Sequence, residues 1–204
     1  MTTRRDHWDT VYASKAETAV SWFQPHSEHS LRLIRDATLG RDASFIDVGG
    51  GASTLVDDLL ADGHRDLTVL DISEAALSRA KDRLGVRAED VSWIVADITN
   101  WTPPRTWAVW HDRAVFHFLT EQSQQEAYVR ALTEATTQGA TVIIATFALD
   151  GPDHCSGLPV QRYSPPLLAS RLGANFRLAS ESTERHKTPW ATEQHFAYSV
   201  LERL

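Results

Sequence analysis

The 204-residue sequence predicts a doubly wound α/β fold with a mostly parallel, seven-stranded sheet, an antiparallel edge strand and an N-terminal helical lid. Three observations support this prediction. Between residues 45 and 148, short apolar segments alternate with helix-like segments, the order that gives a parallel sheet. These apolar segments are continuous, as expected for strands that are buried on both faces. After residue 175, two strand-like segments lie close together and indicate an antiparallel pair.

The first predicted strand runs into three consecutive glycines. Residues 44–48, SFIDV, are typical of a buried strand, and the glycines follow at 49–51. Thr54 and Asp57 resemble a capping box at the start of the next helix, and Gly63 is positioned to end it. Glycine is costly wherever the fold fixes its backbone. The three glycines therefore indicate either a simple tight turn or a place where the backbone approaches a ligand closely.

The remaining elements follow from the same periodicities and cap signals. Further strands are expected at 67–71, 91–97, 107–112, 140–148, 176–183 and 194–204. Helices are expected at 29–40, 73–85, 123–139 and 164–173. Ser73 and Ser164 are placed to cap two of these helices, which Gly85 and Gly173 are placed to end. The segment before residue 29 does not fit the alternation, and we interpret it as a lid over the carboxyl edge of the sheet.

Composition argues against several classes of protein. A single cysteine, Cys155, leaves no disulfide framework and no cysteine-based zinc site, so we predict a reducing, cytoplasmic location and no bound metal. The net charge of −7 argues against a dedicated nucleic-acid-binding protein, which presents a basic face. No apolar stretch is long enough to cross a bilayer, so no membrane partner is expected, and no apolar segment follows the basic residues near the start, which predicts no signal peptide.

Acidic residues occupy the predicted ends of the second and third strands. Asp71 ends the segment LTVLD, 20 residues after Gly51, and Asp97 ends VSWIVAD. In open parallel sheets, ligands bind beyond the carboxyl ends of the strands. A carboxylate after the second strand can accept hydrogen bonds from ribose hydroxyls, and one after the third strand can accept from an adenine amine. Each residue alone could be a cap or turn residue, but together they indicate a site for an adenosine group.

Asp47, Gly49, Gly51 and Ser53 form the pattern D-x-G-x-G-x-S. This pattern resembles motif I of the class I S-adenosylmethionine-dependent methyltransferases, with Ser53 in place of the usual last glycine. The resemblance covers roughly residues 43–150 and implies a Rossmann-like methyltransferase fold, S-adenosylmethionine as the cofactor and S-adenosylhomocysteine as the product. The cofactor-binding residues that it implies are Asp47, Gly49, Gly51, Asp71 and Asp97, with Ile72 and Ile98 as apolar flanks of the adenine.

Two other segments refine this resemblance. WHDRAVFHFL at 110–119 and the N-terminal HWDTVY and VSWF segments are similar to those of thiopurine methyltransferase-like enzymes and some protein-lysine methyltransferases. In those subfamilies N-terminal aromatic residues close over the cofactor, which implies a cofactor contact for Trp22. Ordinary packing of the lid is the alternative for Trp8, Tyr12 and Trp22. Asp112 ends the fourth predicted strand and is the candidate catalytic residue and a cofactor contact, because it could orient the cofactor's amino group or accept a proton.

We predict one methyltransferase domain over 1–204, divided into a lid (1–42), a cofactor-binding half (43–150), and an acceptor loop with the C-terminal strands (151–204). The acceptor is expected to bind near residues 149–164 and the lid. Arg162 and Tyr163 either meet an anionic acceptor there or belong to a solvated loop. Cys155 is interpreted as inert or, alternatively, as reactive.

The leading hypothesis is transfer of a methyl group from S-adenosylmethionine to a small-molecule nucleophile by in-line displacement (EC 2.1.1.-). The alternative is a protein-lysine methyltransferase. A nicotinamide-dependent oxidoreductase is less favoured, because the glycine spacing departs from GxGxxG and no Tyr-x-x-x-Lys is present. A non-catalytic nucleotide-binding module is the fourth reading. The sequence specifies neither the acceptor atom nor the oligomeric state.

Overall fold

The computed structural model describes residues 3–37 and 40–204. The strands are β1 Phe45–Val48, β2 Leu67–Asp71, β3 Val91–Val95, β4 Trp107–Arg113, β5 Thr136–Phe147, β6 His154–Cys155, β7 Leu158–Pro159, β8 Phe176–Lys187 and β9 Glu193–Arg203. The helices are α1 Arg4–Ser14, α2 Glu28–Asp36, α3 Leu55–Ala61, α4 Glu74–Leu84, α5 Gln122–Ala135 and α6 Pro165–Leu172. Seven strands form one sheet in the order β3-β2-β1-β4-β5-β9-β8, and β6 pairs with β7 in a small separate hairpin.

The sheet is parallel from β3 to β5. Phe45 at the start of β1 lies opposite Leu67 of β2 on one side and Val109 of β4 on the other. Strand β9 runs antiparallel to both of its neighbours, β5 and β8. The predicted mostly parallel, seven-stranded sheet is confirmed, and the antiparallel pair at one edge consists of β9 and β8.

The strand order changes direction next to β1. The chain passes outward from β1 to β2 and β3, then returns to place β4 on the other side of β1. Ligands of open α/β sheets bind in the crevice that such a change creates, beyond the carboxyl ends of the strands. The topology therefore predicts a ligand site among the loops that follow β1, β2, β3 and β4.

Apolar side chains cover both faces of the sheet. Phe45, Leu55, Leu67, Ile143 and Phe147 belong to the core on one face. The core on the other face includes Ile46, Trp110, Tyr128, Val142 and Leu168. The indole of Trp110 donates to the Tyr128 hydroxyl at 3.0 Å, so its buried N–H group has a partner. Part of the high aromatic content is therefore core packing.

Several element boundaries differ from the sequence prediction. The helix expected to reach Gly139 ends at Ala135, and β5 begins at the next residue. Gly139 lies within β5 with φ of +83°, a backbone conformation that favours glycine. The hairpin β6–β7 and the last four residues of β8 were not predicted. Within the described ranges, no helix is both long and apolar enough to cross a membrane.

The predicted capping box at the start of α3 is wrong. The Thr54 hydroxyl donates to the Gln24 carbonyl at 3.0 Å instead of accepting from the helix. Ser53 replaces it, because its hydroxyl accepts from the Leu55 N–H at 3.2 Å. Asp57 accepts hydrogen bonds from Arg83 on the neighbouring helix α4. The contacts of the glycine-rich turn with its neighbours thus override the local cap.

Candidate functional site

The glycine-rich turn after β1 is closely surrounded by side chains of the protein itself. Gly49 and Gly51 have φ values of +70° and +46°, which favour glycine. A Cβ atom at Gly49 would overlap the Val115 side chain, and one at Gly50 would lie 2.5 Å from Asp47 Oδ2. Glycine is therefore required here both by backbone conformation and by the proximity of neighbouring groups.

Asp71 ends β2 and lines the main cavity at the carboxyl edge of the sheet. Its Oδ1 accepts from the Ser73 N–H at 2.8 Å. Burial raises the pKa of Asp71 to about 7 against the lowering effect of that N–H, and the charges of Asp47 and Asp9 add to the rise. A carboxyl group that titrates near neutral pH in a cavity is typical of a functional site.

Asp97 follows β3 and lines the same cavity. Its Oδ1 accepts from the Thr99 N–H at 2.9 Å and from the Thr99 hydroxyl at 2.7 Å. Arg4 of helix α1 approaches it to 3.6 Å. Ile72 and Ile98 directly follow the two acidic residues and also line the cavity. Acidic and apolar groups thus alternate at two adjacent strand ends.

Aromatic side chains cover the cavity. The ring of Trp8 packs edge-to-face against Trp22 and Phe118, with centroid distances of 5.7 and 5.2 Å. Tyr12 packs against Trp22 at 6.2 Å. All four residues line the cavity, and we call them the aromatic roof. Burial, and next the nearby Asp71, raise the pKa of the Tyr12 hydroxyl, so it remains protonated.

Polar contacts hold the N-terminal segment against the sheet. Asp9 Oδ1 accepts from the Ser73 hydroxyl at 2.6 Å. Farther along, Arg79 donates to the Lys15 carbonyl at 2.6 Å. Arg83 contributes a third link through its ion pair with Glu17. The aromatic roof is therefore fixed to helix α4 at several points along its length.

The main cavity and its open mouth together enclose about 840 Å³ of empty space. The sequence-predicted residues that line it are Trp22, Gly49, Asp71, Ile72, Asp97 and Ile98. Gly51 lines neither this cavity nor the second one described below. A Cβ atom at Gly51 would lie 2.9 Å from Asp71 Oδ2, so this glycine makes room for the Asp71 carboxylate.

Asp47 faces a second cavity of about 600 Å³ on the other side of the glycine-rich turn. Four residues line both cavities: Tyr12, Trp22, Gly49 and Arg113. Asp47 Oδ1 is hydrogen-bonded to His111 Nδ1 at 2.7 Å, and His111 Nε2 to the Ser30 hydroxyl at 2.9 Å. These three side chains are buried, so the chain of hydrogen bonds fixes the orientation of the Asp47 carboxylate.

Asp112 lies outside both cavities, contrary to the expectation that it faces the cofactor. It is 0% exposed, and its carboxylate accepts from the N–H groups of Val115 and Phe116 at 2.8 and 3.1 Å and from the Tyr128 hydroxyl at 2.6 Å. Burial raises its pKa to about 6. Because side chains alternate along a strand, Asp112 points toward helix α5. Its position therefore does not support the predicted catalytic and cofactor-contact roles but indicates that it braces the turn after β4.

The wall of the cavity opposite Asp71 and Asp97 was not predicted. This far wall consists of Arg113, Phe118, Cys155, Gln194 and Phe196. Strand alternation is the signal that could have identified Arg113, because it follows Asp112 and points to the opposite face of β4. Gln194 and Phe196 gave no such signal, since they reach the site only through the position of β9 beside β5.

The predicted acceptor loop contributes only one residue to the cavity. Cys155 lines it, and burial raises the pKa of this thiol to about 11. Arg162 donates instead to the Gly151 carbonyl at 3.1 Å. The Tyr163 hydroxyl accepts from Gln125 at 3.1 Å, and its ring is buried in the core. Arg162 and Tyr163 therefore lie outside the cavity.

Comparison with known proteins gives the family of the part of the chain that carries this site. Residues 45–139 match the family model described as a methyltransferase domain. The chain contains a class I S-adenosylmethionine-dependent methyltransferase domain. The match covers the glycine-rich turn, both strand-end acidic residues and Arg113.

Curated relatives extend the comparison to a limited degree. The eEF1A lysine and N-terminal methyltransferase of Mus musculus is 27% identical to this methyltransferase domain over 94 residues. The aligned part is 46% of this chain and only 13% of that protein. The chain therefore corresponds to a small part of this relative.

Solved structures resemble the chain over nearly its whole length. A SAM-dependent methyltransferase from Anabaena variabilis has a TM-score of 0.76 and 15% identity, covering 99% of this chain and 96% of that one. The 1,6-didemethyltoxoflavin-N1-methyltransferase of Burkholderia thailandensis, solved with 1,6-didemethyltoxoflavin and S-adenosylhomocysteine bound, has a TM-score of 0.67 and 20% identity, covering 95% and 80%. These likenesses show that the fold around the methyltransferase domain is shared.

Proposed function

We propose that this chain transfers a methyl group from S-adenosylmethionine to a small-molecule nucleophile. The observation that carries the proposal is the roofed cavity, in which Asp71 and Asp97 lie beneath the aromatic roof within a space of about 840 Å³. A cavity with acidic groups at two strand ends and an aromatic cover suits a cofactor together with a small acceptor. A protein side chain needs an open groove along which the rest of its chain can lie.

The residues that line the two cavities fit S-adenosylmethionine. Asp71 is suited to the ribose hydroxyls and Asp97 to the adenine amine, with Ile72 and Ile98 as apolar neighbours of the ring. Asp47, held by His111, is suited to the amino-acid end of the cofactor in the second cavity. Gly49 separates the two parts of the site, and Trp22 covers both.

Within this proposal, residues 43–150 bind the cofactor, 1–42 form the lid, and 151–204 contribute to the acceptor side. Bound S-adenosylmethionine supplies a methyl group on a positively charged sulfur, which a lone pair of the acceptor displaces in line. The side chains orient the two molecules and exclude water. This positioning can lower the barrier of the reaction by on the order of 7 kcal/mol. The ring faces of the aromatic roof also tolerate a neighbouring positive charge.

The second candidate function is methylation of a protein lysine. The similarity to the eEF1A lysine and N-terminal methyltransferases favours it, although the aligned part covers only 13% of each relative. The alignment spans 46% of this chain, about the length of the cofactor-binding half, so we attribute the similarity to that half. Of the far wall, the family match over residues 45–139 includes Arg113 and Phe118 but not Cys155, Gln194 and Phe196.

Two measurements test the proposal. Calorimetry should detect S-adenosylhomocysteine binding to the wild-type protein and its loss in Asp71→Asn, with unchanged melting temperature. A tritiated-methyl assay is then run on a heat-treated cell extract with and without the enzyme. After size separation and removal of the cationic S-adenosylmethionine on a cation exchanger, enzyme-dependent label should lie in the low-molecular-weight fraction. Label in protein alone would favour the second candidate. Cofactor binding without transfer to any fraction would favour a non-catalytic module, and failure to bind S-adenosylhomocysteine would refute both methyltransferase proposals.

A further inference from the structure

We propose that the far wall is the acceptor subsite and that it selects a small molecule carrying an anionic group, which Arg113 holds. This inference rests on the proposed function, because it assigns the part of the cavity that the adenosine group leaves free. It names the chemical class of the acceptor, an apolar or aromatic compound with a carboxylate or an ionised nucleophile.

The position of Arg113 separates it from the adenosine side. Asp71 and Asp97 follow β2 and β3, on one side of β1, whereas Arg113 ends β4 on the other side. Its guanidinium extends still farther from them, since Nε donates to the Tyr198 hydroxyl of β9 at 3.1 Å. The plane of the guanidinium packs over the Phe196 ring at 4.3 Å, which fixes its orientation.

The guanidinium of Arg113 is buried but incompletely bonded. Its side chain is 11% exposed. Nη1 lies 3.4 Å from the Trp22 carbonyl, at the long limit of a hydrogen bond, and Nη2 makes no hydrogen bond. A guanidinium carries five N–H donors in a planar fork that matches a carboxylate. Arg113 therefore retains unused N–H donors. Those of Nη2 are enclosed beside Glu184, so the proposal places the anion at Nη1.

Glu184 balances the charge of Arg113 from the Nη2 side, outside the cavity. Its Oε2 lies 3.5 Å from Arg113 Nη2 and already accepts from the Tyr198 hydroxyl at 2.9 Å. Its Oε1 accepts from the Gln24 amide at 2.6 Å. Glu184 does not line the cavity, whereas Arg113 does. The cavity side of this pair consequently presents a cation.

The rest of the far wall suits an apolar molecule with few polar groups. Phe118 and Phe196 supply aromatic surface, and the raised pKa keeps the Cys155 thiol neutral. The Gln194 amide oxygen is buried without a partner, so it can accept one hydrogen bond from the acceptor. A buried polar atom of this kind favours a ligand that satisfies it.

Charge also argues against a cationic acceptor at this wall. Among the described residues that line the cavity, the carboxylates are Asp71 and Asp97, both on the opposite side. An ammonium group here would face the guanidinium with no carboxylate beside it. A lysine side chain is therefore disfavoured relative to an anion.

The test uses three aromatic probes of similar size and different charge: benzoate, benzamide and benzylamine. Their binding to the full-length protein saturated with S-adenosylhomocysteine is measured by ligand-detected NMR. Benzoate should bind about tenfold more tightly than benzamide, the ratio expected from a hydrogen bond to a charged group, and benzylamine should bind most weakly. Equal affinity for benzoate and benzamide, or a preference for benzylamine, would overturn the proposal.

Two variants assign the preference to Arg113. In Arg113→Gln the advantage of benzoate over benzamide should disappear, and Arg113→Gln/Glu184→Gln should show the same loss without leaving Glu184 buried and unpaired. Retention of the benzoate preference in the double variant would refute the assignment.

A second comparison tests whether Arg113 binds the carboxylate of the cofactor and not that of the acceptor. It uses S-adenosylhomocysteine and 5′-methylthioadenosine, which lacks the amino-acid end. If Arg113→Gln weakened the binding of S-adenosylhomocysteine tenfold and left that of 5′-methylthioadenosine unchanged, Arg113 would bind the cofactor and not the acceptor. Absence of S-adenosylhomocysteine binding to the wild-type protein would be a failure of the proposed function itself.

Discussion

The hydroxyl of Ser73 donates a hydrogen bond of 2.6 Å to Asp9 on helix α1. The same oxygen accepts from the Ala76 N–H at 3.1 Å and so caps helix α4. The Ser73 N–H in turn donates to Asp71. Helix α1 carries Trp8 and Tyr12 of the aromatic roof, and we call it the roof segment. A single serine thus links the roof segment, the start of helix α4 and the acidic residue of the candidate site.

This link predicts that Ser73→Ala weakens both stability and cofactor binding. Loss of the cap and of the bond to Asp9 should lower the free energy of unfolding by about 1–2 kcal/mol. S-Adenosylhomocysteine should also bind less tightly, because the roof segment is less firmly held. Urea unfolding and calorimetry measure the two effects.

Ser164→Ala is the matched control for this prediction. Ser164 caps helix α6, and its hydroxyl accepts from the Leu167 N–H at 3.4 Å, away from both cavities. This variant should lose stability without a change in affinity. If Ser73→Ala also kept the wild-type affinity, the roof segment would have no energetic connection to the site.

The raised pKa of Asp71 predicts that cofactor affinity depends on pH. Hydrogen bonds from ribose hydroxyls favour the ionised carboxylate, so a proton competes with the ligand. With a pKa of about 7 in the free protein, affinity for S-adenosylhomocysteine should be highest above that pH and fall as the pH decreases through it. The decrease should approach about tenfold for each pH unit below the pKa.

Calorimetry at about pH 6, 7 and 8 tests this dependence in buffers of different ionisation enthalpy. Near pH 7, binding should release protons from Asp71. Asp71→Asn should bind weakly with a flatter profile. A wild-type affinity that did not change over this range would show that Asp71 is already ionised or does not meet the ligand.

The glycine-rich turn predicts a large effect for Gly49→Ala. The residue combines a φ of +70° with direct overlap between a Cβ atom and Val115. Backbone strain alone is expected to lower the free energy of unfolding by about 1 kcal/mol. The substitution should lower it by clearly more than that, and it should abolish S-adenosylhomocysteine binding. Gly157→Ala isolates the strain, because Gly157 has φ of +78° and open space around it.

A second substitution separates the two causes. Gly49→Ala/Val115→Ala removes the overlapping methyl groups and should recover part of the lost stability. Thermal unfolding of the single and double variants gives the comparison. Identical melting temperatures for Gly49→Ala and Gly157→Ala would mean that the overlap is relieved without cost.

Asp112→Asn should destabilise the protein while leaving cofactor affinity nearly unchanged. The asparagine amide keeps one acceptor oxygen for Val115 but places an NH2 donor where the Phe116 N–H and the Tyr128 hydroxyl need an acceptor. Since hydrogen bonds to a buried charged group are lost, we expect a decrease of about 2–3 kcal/mol in the free energy of unfolding. Tyr128→Phe removes one of these bonds and should cost less. A selective loss of methyl transfer with normal stability would restore a catalytic role for Asp112.

The sheet was predictable because its strands are short, apolar and separated by clear cap residues. Ser73, Ser164, Gly85 and Gly173 all occupy the predicted cap positions. The end of α5 was not predictable, because Thr136 begins β5 by pairing with Trp107, a contact distant in sequence. Tertiary pairing there overrides the local helical pattern.

The candidate site was predictable only where it depends on strand ends. Asp71, Asp97 and the apolar residue after each lie in the cavity as expected from the topology. Asp112 was expected to face the cofactor, but Arg113, the next residue, lines the cavity, because a shift of one residue along β4 exchanges the two faces. The far wall joins residues from β4, β6 and β9, and no local pattern in the sequence connects those segments.

The placement of Arg4 at the cavity lining has a practical consequence for work with this protein. Any tag or fusion partner joined ahead of helix α1 is attached within a few residues of a side chain that lines the cavity. Such an attachment can obstruct the entry of a ligand into crystals, and it can lower the affinity that a binding measurement gives. Leu204 is exposed and lies outside both cavities, so the opposite terminus is the better point for immobilisation and labelling.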